Sequence, residues 1–155
     1  MNIVIRLSAE SIDGGHICCL GSQLASIVSV LGQSLGDVVW YAADVDSIGV
    51  VLPICKQSPC LIGHSNRLIE LVEHIDQFLR GVFLAVDPQK TNPQFRSDID
   101  TEDSIEADLG DALVEIRAFD TTFFEILTNK EQIGAVLAKT FTIHVVSVMV
   151  QFKRL

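Results

Sequence analysis

The sequence predicts an α+β domain: one mixed sheet packed with about three helices and carrying a β-hairpin near its C-terminal end. Three observations predict it. Apolar residues recur at two-residue steps in some segments and at three- and four-residue steps in others. Strand-like and helix-like segments alternate early, and two strand-like segments follow each other directly after residue 113. The chain has 155 residues, 48% hydrophobic and 20% charged. That is the composition of one globular domain, long enough to bury about 68–70% of its unfolded surface without metal or disulfide.

Ile3, Ile5 and Leu7 alternate with Val4 and Arg6, which gives a first strand. Asp13-Gly14-Gly15 marks a turn. Leu20, Leu24, Ile27, Val28, Leu31 and Leu35 then form a helical stripe, with Ser22 as the expected N-cap and Gly36 as the stop. Residues 38–43 are rich in strand formers, and 48–54 is a second apolar run ended by Pro53. Residues 56–63 read as loop. Ser65 opens a helix whose stripe is Leu68, Val72, Ile75 and Leu79, with Gly81 just past its end, and 82–86 is a short buried strand. Residues 87–111 form an acidic loop in which Thr101 is placed to cap a short helix over 102–109. Val114–Phe119 and Phe123–Leu127 pair as a hairpin around Asp120-Thr121-Thr122. A helix over 130–139 and a β-branched strand over 144–152 complete the order.

Acids outnumber Lys and Arg by 20 to 11, for a formal charge of −9. A surface of that sign repels phosphate backbones, so nucleic acid is not an expected partner. Seven of the acids, Asp98, Asp100, Glu102, Asp103, Glu106, Asp108 and Asp111, lie within 98–111 of the loop, with no base between Arg96 and Arg117. Such a segment either binds a basic partner by complementary potential or is a solvated loop. Trp40 and Tyr41 are the one Trp and the one Tyr. Strand alternation turns one of them outward as a contact anchor, unless both lie in the core.

No motif names a reaction. There is no Gly-x-Ser-x-Gly elbow and no phosphate loop. Residues 98–109 begin like a calcium loop, but Asp103 stands where glycine is required and Leu109 where a bidentate Glu is required. Glu70 and His74, four apart on the expected helix, read as a surface pair. Glu115, Asp120 and Glu125 on the hairpin are candidates for acid–base work if buried, although hairpin carboxylates are usually exposed. Cys18, Cys19, Cys55 and Cys60 lack zinc-site spacing, and consecutive cysteines in an extended segment face opposite ways. They read as small core residues with free thiols. No cofactor or metal is expected. The N-terminal segment lacks the pattern of a secretion signal, and the charge-free stretch 14–36 carries its apolar residues on one stripe. The expectation is a cytoplasmic protein with no membrane span.

The segment Glu115-Ile116-Arg117-Ala118-Phe119-Asp120-Thr121-Thr122-Phe123-Phe124-Glu125-Ile126, followed by a helix over 130–141, resembles the C-terminal part of small uncharacterised bacterial proteins. Some of these look like immunity proteins of toxin systems. The resemblance covers about 25 residues, leaves 142–155 without a counterpart and carries no catalytic residue to transfer. It implies a non-enzymatic inhibitor of a basic partner, docked through the acidic loop with Trp40 or Tyr41 as anchor. The alternatives are a small-molecule-binding accessory domain with a pocket between sheet and helices, and an enzyme using the hairpin carboxylates or a histidine. Association into a homodimer is expected from the high apolar content and the uncharged first helix.

Overall fold

The fold is described from a computed structural model over residues 3–49, 58–96, 98–103 and 108–141. These residues form β1 (Ile3–Leu7), α1 (Ala9–Ile12), α2 (Gly21–Leu35), β2 (Val39–Gly49), β3 (Cys60–His64), α3 (Ser65–Val72), β4 (Ile75–Val86), β5 (Val114–Phe119), β6 (Phe123–Thr128) and α4 (Glu131–Thr140). The strands make one sheet in the order β1-β6-β5-β4-β2-β3. The α+β class holds, and the sheet is antiparallel at every described pairing rather than mixed. The reason lies in the connections. Helix α3 does join two parallel strands, β3 and β4, but β2 lies between them, so the crossover creates no parallel pair.

Several boundaries differ from the sequence reading. The helix opened by Ser65 ends at Val72, and residues 75–86 form one long strand. Ile75 and Phe78 fit a helical stripe by spacing, yet they are buried as strand residues, and Leu79 of the same stripe is exposed. The ladder with β2, running from Gly49↔Ile75 to Val39↔Val86, overrides the local period. Strand β2 in turn continues through Ile48, past irregularities between Ala43 and Asp46, instead of ending at residue 43. Residues 60–64, read as loop, add an edge strand to it. Helix α2 begins at Gly21, with Leu20 rather than Ser22 at the N-cap. Gln23 is buried because its side chain closes that end. It accepts from the Leu20 N–H at 3.0 Å and donates to Asp13 and to the Ile17 carbonyl. Helix α1, a single turn capped by Ser8, was not anticipated. The runs at 50–54 and 144–152 lie outside the described residues.

The two faces of the sheet are covered differently. Ile3, Ile5 and Leu7 of β1, Trp40 and Ala42 of β2, Phe83 and Ala85 of β4, Val114, Ile116 and Ala118 of β5, and Phe124 and Ile126 of β6 pack with α2, α3 and α4. The opposite face presents Val4, Tyr41, Ala43, Val82, Leu84 and Leu127. No helix covers it. The loop between β4 and β5 folds back and seats Phe95, Ile99, Leu109 and Ala112 on these residues. The acidic loop is therefore a third layer with its own small core.

The hairpin turn forms as expected, and in a strained way. Thr122 donates its N–H to the Phe119 carbonyl at 2.9 Å, and both central residues, Asp120 and Thr121, have positive φ. That is the backbone hand of the turns that suit tight hairpins, here built without glycine. A left-handed conformation costs an L residue roughly 1–2 kcal/mol, so the flanking ladder and the stacked Phe119 and Phe123 rings, 5.1 Å apart, hold the turn in place.

Candidate functional site

The hairpin register brings charge together beneath the loop. Arg6 of β1, Glu125 of β6 and Arg117 of β5 are direct cross-strand partners on the loop-covered face. Arg6 Nε donates to Glu125 Oε2 at 3.0 Å, and Arg117 Nη1 lies 3.6 Å from Glu125 Oε1. Arg117 Nε donates to Glu115 Oε2 at 2.6 Å, and Arg96 of the loop clasps the same Glu115 carboxylate through Nη1 and Nη2. Arg96 Nε also donates to Asp103 Oδ2 at 3.0 Å, while Arg117 Nη1 donates to the Asp103 carbonyl at 2.6 Å. Three arginines thus alternate with three carboxylates, and Glu115, Arg117 and Glu125 are all buried. The expectation that hairpin carboxylates face solvent fails for Glu115 and Glu125. The loop covers them, and opposed charges across the strands make their burial tolerable. Fully ion-paired and enclosed, they are placed to fasten the loop.

The loop acids divide by this arrangement. Asp103 pairs with Arg96, Asp100 with Arg80 at 3.1 Å, and Asp111 with Lys90 at 3.5 Å. Asp108 closes a local turn by accepting the Gly110 N–H. Asp98 and Glu102 are exposed, and Glu106 lies outside the described residues. Thr101 does not cap a helix. Its hydroxyl donates to Asp44 and accepts from the Gly81 N–H, so it is buried against the sheet. Trp40 is fully buried on the helix side, with Nε1 donating to Ser65 Oγ at 2.9 Å. Trp40 is therefore corrected from a candidate contact anchor to a core residue. Alternation does turn Tyr41 to the other face, where it packs on Phe95 at 5.2 Å and is only partly covered.

Acid acts on this loop in a definite direction. For Asp103, burial alone would raise the pKa. The Asp100 N–H and the Arg96 and Arg117 guanidiniums outweigh it and hold the carboxyl below its ordinary range. A depressed folded-state pKa means stability that is complete above the ordinary aspartate range and is lost as the pH falls through the folded value. Loop opening should therefore begin only in strong acid. Hydrogen exchange of the 98–103 amides, measured from pH 7 downward, should stay slow until below the ordinary aspartate range. Opening near pH 6 would contradict it.

Two surface clefts are built from these elements. The first, about 220 Å³, is lined by Leu79 and Arg80 of β4, Thr101 and Glu102 of the loop, and Phe119 and Asp120 at the hairpin tip. Arg80, the one base among its lining residues, is already held between Asp44 at 3.0 Å and Asp100 at 3.1 Å. The side chains of Glu102 and Asp120 are exposed and make no hydrogen bond or close ion pair among the described residues, and Glu102 acts on Arg80 only through its field. Leu79 and Phe119 supply apolar walls. The second cleft, about 350 Å³, lies where α2 meets α3 and is lined by Ser29, Gln33, Asp37, His64, Asn66 and Ile69 among others. There His64 Nδ1 is 2.8 Å from Asp37 Oδ1, with both side chains exposed.

Other candidates disperse. Glu70 pairs with Arg67 at 3.4 Å, and α3 ends before His74, so Glu70 and His74 do not share a helix face. Among the described residues, no three His, Cys, Asp or Glu side chains converge as metal ligands. Cys18 and Cys19 are free thiols, but Cys60 is disulfide-bonded, which corrects the expectation of four free thiols. No helix of the described residues is long and apolar enough to cross a membrane. Comparison with protein-family models, curated proteins and solved structures finds no match.

Sequence reasoning missed Arg96 and Arg117 as site-forming residues, and it singled out Asp120 for acid–base work rather than for a place on a cleft. The signal was present for Arg117. A hairpin turn at 120–122 with Phe119 opposite Phe123 puts Arg117 opposite Glu125, an unlike pair on one face.

Proposed function

We propose that the protein is a non-enzymatic binding protein whose acidic cleft receives a basic side chain of a protein partner, in the manner of an immunity-type inhibitor. The observation that carries this reading is the pair of exposed carboxylates, Glu102 and Asp120, on a cleft walled by Leu79 and Phe119. The methylene stem of a lysine or arginine lies along such apolar walls while its head meets the carboxylates. The internal pairing of Asp100 and Asp103 narrows the contact to this corner of the loop. The net charge of −9 favours encounter with a basic partner.

The test is affinity capture from native cells at low and high salt, with mass spectrometry, using the wild type and a Glu102→Lys/Asp120→Lys variant. Both residues are exposed, so the variant should keep its thermal transition. A basic protein captured by the wild type, released by salt and not captured by the variant supports the reading. Equal capture by the variant, or no basic partner at low salt, overturns it. The second cleft favours the alternative, a small-molecule-binding domain, because its Asp37–His64 pair and the side chains of Ser29, Gln33 and Asn66 offer several polar contacts. A thermal-shift screen of small polar ligands is the measurement for that case.

A further inference from the structure

Consecutive residues in an extended chain send their side chains to opposite sides. Cys18 and Cys19 do not. Cys19 has φ of 60°, in the left-handed region that residues other than glycine rarely occupy. This turn of the backbone brings both thiols into the same core, at the paired ends of β1 and β6. The strained segment is pinned from behind. The Cys19 carbonyl accepts the Phe78 N–H at 2.7 Å, and the Cys18 carbonyl accepts the Gln77 side-chain amide at 2.9 Å. In front, Cys18 Sγ lies 3.8 Å from the Leu7 carbonyl, and Cys19 Sγ lies 3.3 Å from the Phe123 carbonyl at the start of β6. Both residues are buried, and neither is in a disulfide. Small apolar packing would not require this strain.

We propose that Cys18 and Cys19 are a vicinal dithiol that reacts with hydrogen peroxide, Cys18 as the attacking sulfur and Cys19 as the resolving one. The Cys18 thiolate attacks one peroxide oxygen, the O–O bond breaks, and hydroxide leaves, giving a sulfenic acid. The Cys19 sulfur then attacks Cys18 Sγ, the S–O bond breaks, and the protons released by the two thiols leave with the oxygens as two molecules of water. The dithiol has lost two electrons and the peroxide has gained them. The direction of titration agrees with these roles. The hydrogen bond from Cys19 lowers the Cys18 thiol to about 7 against the effect of burial, while the same contact and burial raise Cys19. A peroxide is small enough for a buried pair. The product is reversible by construction, because consecutive Cα atoms are only about 3.8 Å apart, below the usual span of a disulfide, and strained disulfides are readily reduced.

The test treats the full chain with a few equivalents of hydrogen peroxide, followed by non-reducing proteolysis and mass spectrometry. The peptide holding Cys18 and Cys19 should lose two hydrogens and recover them with dithiothreitol. In Cys19→Ser the sulfenic acid should persist and be trapped by dimedone, about tenfold faster than in Cys18→Ser. Circular dichroism of both variants reports their fold, and the wild-type mass change needs no variant at all. A wild-type pair that stays reduced while free glutathione is consumed overturns the proposal. So does direct over-oxidation without the intrapeptide disulfide, or equal trapping in the two variants.

Discussion

Replacing Glu115 with alanine is expected to lower the unfolding free energy by about 3–5 kcal/mol, the usual range for removing one partner of a buried ion pair. The carboxylate has no exposure, and it receives hydrogen bonds from both Arg96 and Arg117. Without it, Arg117 keeps Glu125 and the Asp103 carbonyl, and Arg96 keeps Asp103, but two guanidiniums, one of them fully buried, are left close together. Repulsion would then be relieved by lifting the loop, since Arg96 belongs to the loop and Arg117 to the sheet. Urea unfolding followed by circular dichroism gives the magnitude. Hydrogen exchange of residues 94–103 tells whether the loop detaches first. The Arg96→Gln/Glu115→Gln double variant should be less destabilised than the sum of its singles, because it removes a charge of each sign. A loss below about 1 kcal/mol for Glu115→Ala would mean that the site hydrates readily and that the ion row does not fasten the loop.

Gly21→Ala should be nearly as damaging, for a purely steric reason. A Cβ at this position would lie 2.0 Å from the Val72 carbonyl oxygen and 2.3 Å from that of Ile75. These are backbone atoms at the end of α3 and the start of β4, so no rotamer change relieves the clash. Helix α2 and the turn between α3 and β4 must separate, which places the cost at the upper end of overpacking, about 3 kcal/mol. Gly134→Ala is the matched control. It lies inside α4 with nothing nearer than 3.7 Å to its Cβ position, and it should gain about 0.5–1 kcal/mol from helix propensity. Thermal unfolding of the two variants side by side should show shifts of opposite sign. A neutral Gly21→Ala would mean that the turn at 73–74 moves aside freely.

The parts legible in the sequence are those decided by neighbours in the chain. Ile3–Leu7 alternates without interruption, the hairpin around 120–122 carries its own register, and α4 shows its inward residues Ile133 and Leu137 by spacing alone. What was not legible depended on distant partners. Ile75 and Phe78 satisfy a helical period, and only the ladder with β2 makes them strand residues. The loop was read for its acids, while Phe95, Ile99, Leu109 and Ala112, which bind it to the sheet, are too widely spaced to show a period. The acidic residues themselves could not be sorted into paired and unpaired from composition. Arg80, which holds Asp100, and Lys90, which holds Asp111, lie outside the acidic run. The Cys18–Cys19 pair was hidden because a left-handed cysteine is not a pattern that local preference suggests.

The pairing of β1 with β6 has a consequence for how the chain comes into being. Ile3 bonds opposite Thr128, and Leu7 opposite Phe124. Strand β1 is therefore made before its partner β6 and waits for it, an interval on the order of ten seconds at ordinary rates of synthesis. During that interval Ile3, Ile5 and Leu7 have neither their ladder nor the final covering of α4. Birth order thus leaves β1 in need of a chaperone, and a nascent chain stalled before residue 123 should be held by one.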